Sequence, residues 1–200
     1  MNQPDLDLSG AGGSRPRVDL TRCVTEWPTR IKVRRAIWRL LVRPVFMLSP
    51  GSANDLRIFL LRLMGAQIGE RCLVSAKVDV LMPWNLVLEP FVALGRAVNV
   101  YNYGVVTIRR MTLVSQNVHL CTGSHDYTHP HMPLIWKPIT IGAECWVASE
   151  VFVGPGVTIG DGAVIGARSV VTKNQPEWMV CAGNPCVPLK PRVLRPAGSS

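Results

Sequence analysis

The chain lacks any long uninterrupted apolar run. Arg39, Arg43, Arg57 and Arg62 break its most hydrophobic stretches, whereas a transmembrane helix needs about 18 to 20 consecutive apolar residues. Residues 1–20 are rich in Asp, Gly and Pro, and they lack the basic start and apolar centre of a secretory signal. The sequence therefore predicts neither a membrane span nor export, and residues 1–28 are expected to form a flexible N-terminal tail.

Cys-x-x-Cys pairs are also missing. The six cysteines are scattered along the chain: Cys23, Cys72, Cys121, Cys145, Cys181 and Cys186. This spacing argues against a zinc ribbon, and the absence of an export signal argues against a disulfide framework. We expect reduced, partly buried thiols in a cytoplasmic protein, with the inner face of the membrane as a second location.

Acidic residues are few. The chain has 13 of them against 22 lysines and arginines, which gives a net charge of +9. Such a balance favours an anionic partner, although charge alone does not choose between a polyanion and an anionic membrane surface.

What the chain does contain is an internal repeat with a period of six residues. Its C-terminal half has aliphatic residues at six consecutive repeat positions: Ile141, Val147, Val153, Ile159, Ile165 and Val171. A glycine follows four of these residues, namely Gly142, Gly154, Gly160 and Gly166. The same spacing recurs in three earlier blocks of three: Ile68, Val74 and Val80; Leu88, Leu94 and Val100; Ile108, Val114 and Leu120.

Neither an α-helix, with a period near 3.6, nor a half-buried strand, with a period of two, produces this pattern. A triangular parallel β-solenoid does, because each short strand points one aliphatic side chain inward and successive coils stack by backbone hydrogen bonds. The glycines are expected to permit the corners. Five coils fit between Ile68 and Gln175, and we expect residues 67–176 to form one β-helical domain followed by a C-terminal extension, 177–200.

Residues 29–66 are predicted to form a helical cap. Thr29 is the expected N-cap of a first helix that ends at Pro44, and Ser52 that of a second helix that stops at Gly65. The first helix has an apolar face made of Val33, Ala36, Ile37, Leu40 and Leu41. The alternative to a cap is a basic amphipathic helix lying on an anionic membrane.

The one long break in the repeat, residues 121–140, is predicted to be a protruding loop. It contains His125, His129 and His131, together with Asp126 and Tyr127. An insertion expelled from a regular solenoid commonly carries function.

The segment from Trp84 to Arg192 resembles the hexapeptide-repeat acetyltransferases, and among them the colanic-acid biosynthesis acetyltransferases and their relatives, the maltose and galactoside O-acetyltransferases. The matching stretches cover about half the chain: Val100-Tyr-Asn-Tyr-Gly104, Leu120-Cys-Thr-Gly-Ser-His-Asp-Tyr127, Lys137-Pro-Ile-Thr-Ile-Gly142, Val153-Gly-Pro-Gly-Val-Thr-Ile-Gly160 and Val180-Cys-Ala-Gly-Asn-Pro185. The resemblance implies a left-handed parallel β-helix and transfer of acetyl from acetyl-CoA to a sugar hydroxyl in exopolysaccharide biosynthesis.

The resemblance also implies roles for particular residues. His125 would be the general base, a role that suits an imidazole near neutral pH. Asn102, with Asn99 as the alternative, would hold the acceptor hydroxyl. A backbone N–H near Ser149 would stabilise the oxyanion.

On the donor side, the family's coenzyme A groove corresponds to Trp146, Ser149, Ala167, Thr172 and Lys173. Several relatives have an arginine where this chain has Val187, so the nucleotide phosphate would fall to Lys190, Arg192 or Arg168. The family further implies a homotrimer with sites between subunits, a small-molecule or lipid-linked saccharide acceptor, no metal and no nucleic acid.

Two other functions stay open at this point. A γ-type carbonic anhydrase shares the solenoid and binds zinc through three histidines, and His119, His125, His129 and His131 are available, but three of these lie in one loop. A non-catalytic binding or scaffold surface would need a sustained ladder of one polar residue, and the repeat shows none. Metal analysis separates the first alternative from an acetyltransferase.

Overall fold

The computed structural model describes residues 17–196. It shows a left-handed parallel β-helix with three flat faces, preceded by helices and interrupted by one hairpin. The helical elements are a 3₁₀ turn Leu20–Arg22, helix α1 Thr29–Ile37, a π-helical turn Trp38–Val42, helix α2 Arg43–Leu48, helix α3 Asn54–Leu63 and a 3₁₀ turn Pro83–Asn85.

The strands of the solenoid form three parallel sheets, here called faces 1, 2 and 3. Face 1 contains β1 (Gln67–Ile68), β4 (Leu86–Leu88), β7 (Val106–Ile108), β12 (Ile139–Ile141) and β15 (Thr158–Ile159). Face 2 contains β2 (Leu73–Val74), β5 (Ala93–Leu94), β8 (Leu113–Val114), β13 (Trp146–Val147), β16 (Val164–Ile165), β18 (Met179–Ala182) and the antiparallel β19 (Val187–Pro191). Face 3 contains β3 (Asp79–Val80), β6 (Asn99–Tyr101), β9 (His119–Cys121), β14 (Phe152–Val153) and β17 (Val170–Val171).

The six-residue repeat forms the core of the solenoid. All fifteen predicted repeat aliphatics are buried, and partners in successive coils stack in register, as Leu88 does on Ile108. Five full coils are present, and a bridge from Ile159 to Gln175 begins a partial sixth. The prediction of stacked six-residue coils is therefore confirmed.

The glycines that follow the aliphatics have a different role from the one expected. The corners take their positive φ three residues after an aliphatic, at Glu144, Glu150 and Arg168 among others. Gly142 is needed for close approach instead, because a Cβ there would lie 2.6 Å from the backbone N of Asp161 in the next coil. Its hydrogen atom lets the two coils stack at that point.

The helical segment begins and ends differently from the prediction. Thr29 is the first helical residue, after Pro28, and Ala53 rather than Ser52 precedes α3; neither cap position makes a side-chain hydrogen bond. Pro44 does not end the helix, because it lies in the first turn of α2, where proline's missing N–H is tolerated. Gly65 does follow the end of α3, with a φ of +91°.

Two buried side chains join the helices to the first coil. Trp38 is 2% exposed and donates its Nε1–H to the carbonyl of Val80 over 2.8 Å. Arg57 is 1% exposed, and its guanidinium donates to the carbonyls of Val74, Pro50 and Gly51. The helices therefore cover the N-terminal end of the solenoid core, whose terminal coil would otherwise be open.

Candidate active site

A hairpin leaves the solenoid where face 3 turns into face 1. Strand β10 (Gly123–His125) pairs antiparallel with β11 (Leu134–Trp136), and the backbone N–H of Lys137 donates to the carbonyl of Thr122 over 3.0 Å to close the base. This is the insertion expected over 121–140, although Cys121 and Ile139 remain in solenoid strands.

His125 lies at the end of β10 and is exposed. Its Nδ1 is 2.6 Å from the carbonyl oxygen of Met132 across the hairpin. Because a carbonyl oxygen can only accept, Nδ1 must carry the proton of the neutral ring. The other nitrogen, Nε2, is then left with a free lone pair and can accept a proton.

The other two histidines of the loop have structural contacts. The Nδ1 of His129 accepts from the N–H of His131 over 3.1 Å, and the Nδ1 of His131 lies 3.0 Å from the carbonyl of Asp19. Asp126 accepts hydrogen bonds from the side chain and backbone of Thr128, and these bonds lower the pKa of its carboxyl. These contacts stabilise the tip of the hairpin.

A segment of the expected N-terminal tail lies against this hairpin. The backbone N–H of Asp19 donates to the carbonyl of Pro130 over 3.0 Å, and Cys23 Sγ donates to the carbonyl of Met132 over 3.3 Å. Trp27 stacks on Tyr103 and Trp136 with ring centroids 5.6 and 5.5 Å away. The prediction of a flexible tail over 1–28 did not anticipate these contacts; residues 1–16 lie outside the described range.

Two tyrosines lie beneath the hairpin. The hydroxyls of Tyr101 and Tyr103 are 3.1 Å apart. This hydrogen bond, with burial as a second cause, raises the pKa of Tyr101 to about 12. The motif Val100–Gly104 contains both tyrosines, but only its asparagine was predicted to act in the site. Gly123 packs closely against the Tyr103 ring, since a Cβ at Gly123 would lie 2.9 Å from Cδ2 of that ring. Only the three-dimensional structure reveals this contact.

The side chain of Asn102, predicted to hold the acceptor hydroxyl, is engaged inside the solenoid. It is 0% exposed, accepts the N–H of Met82 over 2.9 Å and donates to the carbonyl of Met82 over 2.8 Å. Both ends of the amide are therefore used to join the corner of one coil to the corner of the coil before it. The alternative, Asn99, is exposed on face 3, in register between Asp79 and His119.

Asn99 also lines a basic groove between the helical segment and face 3. The groove has a volume of about 870 Å³ and is lined by Lys32, Arg35, Arg39, Arg43, Asp79, Asn99 and Tyr101, among others. Arg43 forms a bidentate ion pair with Asp79, at 3.0 Å for both contacts. The remaining cations face a concave surface that extends to Tyr101 of the candidate site.

Within one copy of the chain, the four histidines of the described residues are not grouped as metal ligands. His119 lies on face 3 with its ring edge-on to Tyr101 and Phe152, and burial lowers its pKa. His125 lies on the hairpin, with its Nδ1 bound to a backbone carbonyl. Within residues 17–196 no group of three or more His, Cys, Asp or Glu side chains is placed to hold a metal ion, so the carbonic anhydrase alternative gains no support.

The structure also gives little support to the alternative of a non-catalytic scaffold. Face 1 has a ladder of three threonines stacked in register: Thr107, Thr140 and Thr158. The ladder is not visible as a repeat in the sequence, because the hairpin separates the first two of them. The next position in the column is Val87. Three rungs are too short to make one face a repetitive binding surface.

The residues predicted for coenzyme A fall into two groups. Trp146 is 46% exposed on β13 and donates its Nε1–H to Ser115 Oγ over 3.0 Å. Ser149 and Ala167 occupy equivalent places in successive coils where face 2 turns into face 3, as the hydrogen bond from Arg168 N to Ser149 O shows. Thr172 and Lys173 instead follow β17, at the corner where the hairpin also leaves.

The predicted phosphate ligands differ in availability. Lys190 is exposed on β19. Arg192 is partly engaged, because its Nη1 donates to the carbonyls of Glu144 and Gly162 at 2.6 and 2.9 Å, and the group lies over Trp178. Arg168 forms a 2.7 Å ion pair with Glu150. Arg192 therefore stabilises the C-terminal extension against the last coils.

Known proteins resemble this chain over most of its length. The family model "bacterial transferase hexapeptide (six repeats)" matches residues 138–173. The putative colanic acid biosynthesis acetyltransferase WcaF of Escherichia coli K12 is 45% identical over 163 residues, which cover 82% of this chain and 88% of that protein.

Two solved structures share the fold. The maltose O-acetyltransferase of Clostridium difficile 630 superposes with a TM-score of 0.75 at 26% identity, over 84% of this chain and 90% of the other. A galactoside acetyltransferase in complex with coenzyme A gives a TM-score of 0.71 at 30% identity, over 84% of both chains.

Proposed function

The chain belongs to the hexapeptide-repeat acetyltransferases, and on this premise we propose that it transfers acetyl from acetyl-CoA to a sugar hydroxyl in exopolysaccharide biosynthesis, with His125 as general base. It is an acyltransferase by family, as WcaF and both structural neighbours are named acetyltransferases. Colanic acid synthesis is the process in which the relative is named, which supports an exopolysaccharide acceptor here.

The hydrogen bond between His125 Nδ1 and the carbonyl of Met132 is the observation that carries the proposal. The hydrogen bond from Nδ1 to Met132 fixes the tautomer and the ring orientation together. Nε2 is therefore available as the base that takes the proton of an acceptor hydroxyl. Since the ring is exposed and held only at its far nitrogen, a hydroxyl can approach Nε2 without displacing a protein partner.

The donor side has residues that fit coenzyme A. When bound, acetyl-CoA supplies the acetyl group as a thioester that an alcohol oxygen can attack, with the coenzyme's sulfur as leaving group. Ser149 and Ala167 give a column of small side chains along one corner, with the exposed Trp146 beside it. Lys190 is the cation we assign to a phosphate, and the exposed Lys173 belongs to the other corner.

We infer a homotrimer from the separation of these groups. His125 leaves the corner between faces 3 and 1, whereas Trp146, Ser149 and Ala167 lie on face 2 and at its corner with face 3. A second copy that brings its face 2 corner to this hairpin would complete the site. Exposed apolar side chains on face 2, Leu73 at 59% and Leu113 at 46%, support contact between copies there.

The acceptor side favours a saccharide with an anionic linkage. The groove next to Tyr101 offers Lys32, Arg35 and Arg39 together with the amide of Asn99. Such a groove suits a phosphate-bearing, lipid-linked sugar better than a neutral free sugar. A cytoplasmic site of action belongs to the same proposal. Within residues 17–196 no helix is long and apolar enough to cross a membrane.

The proposal is tested by acetyl transfer from acetyl-CoA to a panel of free and phosphorylated sugars, followed as release of coenzyme A thiol. His125→Ala should lower kcat by about 10²- to 10⁴-fold, the usual contribution of a general base. His129→Ala is the matched control, since it removes a neighbouring exposed imidazole and should change kcat less than about threefold. Equal rates for the native chain and His125→Ala would overturn the mechanism.

A further inference from the structure

The helical segment 29–48 has an exposed apolar stripe on its outer side. Its inner side is buried through Trp38 and Phe46, at 2% and 0% exposure. The outer stripe, as we call it, consists of side chains three or four residues apart: Val33 at 52%, Ile37 at 42%, Leu41 at 67%, Val45 at 51% and Leu48 at 84% exposure, with Leu40 at 70% beside them. Isolated exposed aliphatics are ordinary, but a continuous stripe marks a contact surface.

The charges of this segment restrict what can cover the stripe. Residues 29–48 contain six basic side chains and no acidic one: Arg30, Lys32, Arg34, Arg35, Arg39 and Arg43. Arg34 and Arg43 are used within the chain, since they bind the carbonyl of Met64 and the carboxylate of Asp79. The side chains of Arg30, Lys32 and Arg39 are exposed and make no hydrogen bond or ion pair within the described part of the chain.

We propose that this segment docks on an anionic lipid bilayer, with the outer stripe in the interfacial region and the exposed cations at the lipid phosphates. An apolar stripe flanked by lysine and arginine is the composition of helices that lie in a membrane surface. Each cation near an anionic leaflet adds to the attraction, and salt screens it.

A second copy of the chain is a poorer occupant of the same surface. Two outer stripes that face each other around a twofold axis would bring the exposed cations of both copies together, which is unfavourable. A bilayer has no such restriction. In a cyclic trimer, moreover, the stripes of all three copies lie on the same side of the assembly, so that one planar surface can contact them together.

The docked position agrees with the location of the basic groove. Lys32 and Arg39 lie beside the outer stripe and also line the groove that reaches Tyr101. A lipid-linked sugar held in the bilayer would therefore have a short path to the candidate site. This extension rests on the proposed function, whereas docking itself does not.

The test is co-sedimentation of the full chain with vesicles of phosphatidylcholine alone and of phosphatidylcholine with phosphatidylglycerol. We expect binding to the anionic vesicles, weakened by added salt, and little binding to the neutral ones. The double variant Leu41→Glu, Leu48→Glu should bind about a hundredfold more weakly, because two apolar side chains leave the bilayer and two negative charges approach it. Both positions are more than half exposed, so its thermal midpoint should be unchanged.

The matched control is Leu189→Glu, Val193→Glu, which makes the same chemical change at 62% and 85% exposed positions near the other end of the solenoid. This control should bind vesicles like the native chain. Absence of native binding to anionic vesicles would overturn the proposal, as would an equal loss in the control. A changed solution mass of Leu41→Glu, Leu48→Glu by light scattering would show that the stripe is a subunit interface instead. Acetyl transfer to soluble sugars by this variant should remain, so failure of docking is separable from failure of the proposed activity.

Discussion

Replacement of Asn102 by alanine distinguishes a structural amide from an acceptor-binding one. The variant removes an acceptor from the N–H of Met82 and a donor from its carbonyl, both in a place that solvent does not reach. We expect Asn102→Ala to unfold more easily while its folded fraction keeps near-native catalytic constants. Asn99→Ala should behave in the opposite way, because that side chain is exposed and faces the groove.

The magnitude follows from the two hydrogen bonds that are lost, although the carbonyl of Met82 still accepts from the backbone N–H of Asn85 over 3.0 Å. A buried N–H left without an acceptor costs about 1–3 kcal/mol and the second lost hydrogen bond about 1 kcal/mol, which together give about 2–4 kcal/mol. For a chain of this length each kcal/mol lowers the thermal midpoint by about 2–4 °C. A decrease of roughly 10 °C is therefore expected for Asn102→Ala, and little change for Asn99→Ala.

The assay combines thermal unfolding with kcat/KM for acetyl transfer, measured well below the lower midpoint and normalised to folded protein. Asn102→Asp is a useful companion, because its carboxylate keeps the acceptor for Met82 N–H but places a negative charge near the Met82 carbonyl oxygen. It should be at least as unstable as the alanine variant. A native midpoint for Asn102→Ala, with kcat/KM reduced a hundredfold or more, would refute the structural role.

Two further predictions concern buried polar groups elsewhere. Arg57→Met should lower the free energy of unfolding by about 2–4 kcal/mol, because it removes four hydrogen bonds to Ser49, Pro50, Gly51 and Val74, of which the Pro50 carbonyl keeps a backbone donor, the N–H of Ala53. Urea unfolding measures this, and native stability would contradict it. His119→Phe should raise stability by about 1 kcal/mol, because Nε2 of His119 is buried without a partner among the described residues. Burial lowers the pKa of His119, so the unfolded chain binds a proton on this imidazole more readily than the folded chain does, and stability falls as the pH drops below about 6.5. The thermal midpoint of His119→Phe should therefore fall less steeply than that of the native chain between about pH 7 and pH 5. Identical slopes for the two proteins would count against this account.

The β-helix could be predicted because its core is periodic in the sequence. Each coil repeats the same physical requirement, one inward aliphatic per short strand, so the pattern is visible without any long-range contact. The prediction that failed is the role of the glycines, which were expected to permit the corners. Sequence spacing shows that Gly142 follows Ile141, but only the stacked coils show that Asp161 leaves no room for a Cβ there.

The helix boundaries were predicted less well because the tertiary contacts override local signals. A proline in the interior of a helix usually ends that helix, but here a π-helical turn precedes Pro44 and a new helix begins at Arg43. Trp38 is buried against the first coil at that turn. No pattern within the segment itself reveals that contact.

The candidate site was only partly predictable for a related reason. His125 stands out because it lies in the one long interruption of the repeat. The functions of Asn102 and Arg192 depend on which backbone groups lie opposite them, Met82 in one case and Glu144 with Gly162 in the other. A sequence does not distinguish a polar motif residue whose side chain hydrogen-bonds to the backbone from one whose side chain is free to bind a ligand.

The register of the solenoid has a consequence for how the site is assembled. Residues separated by three six-residue repeats, such as Ser149 and Ala167, must occupy one column, because each coil returns to the same corner. By the same rule His125 belongs to the corner between faces 3 and 1 and Trp146 to face 2, so a small rearrangement of one copy cannot bring them together. Chemistry that needs both therefore requires contact between copies, and a variant that dissociates the assembly while leaving each solenoid folded should lose acetyl transfer without a change in the environment of His125.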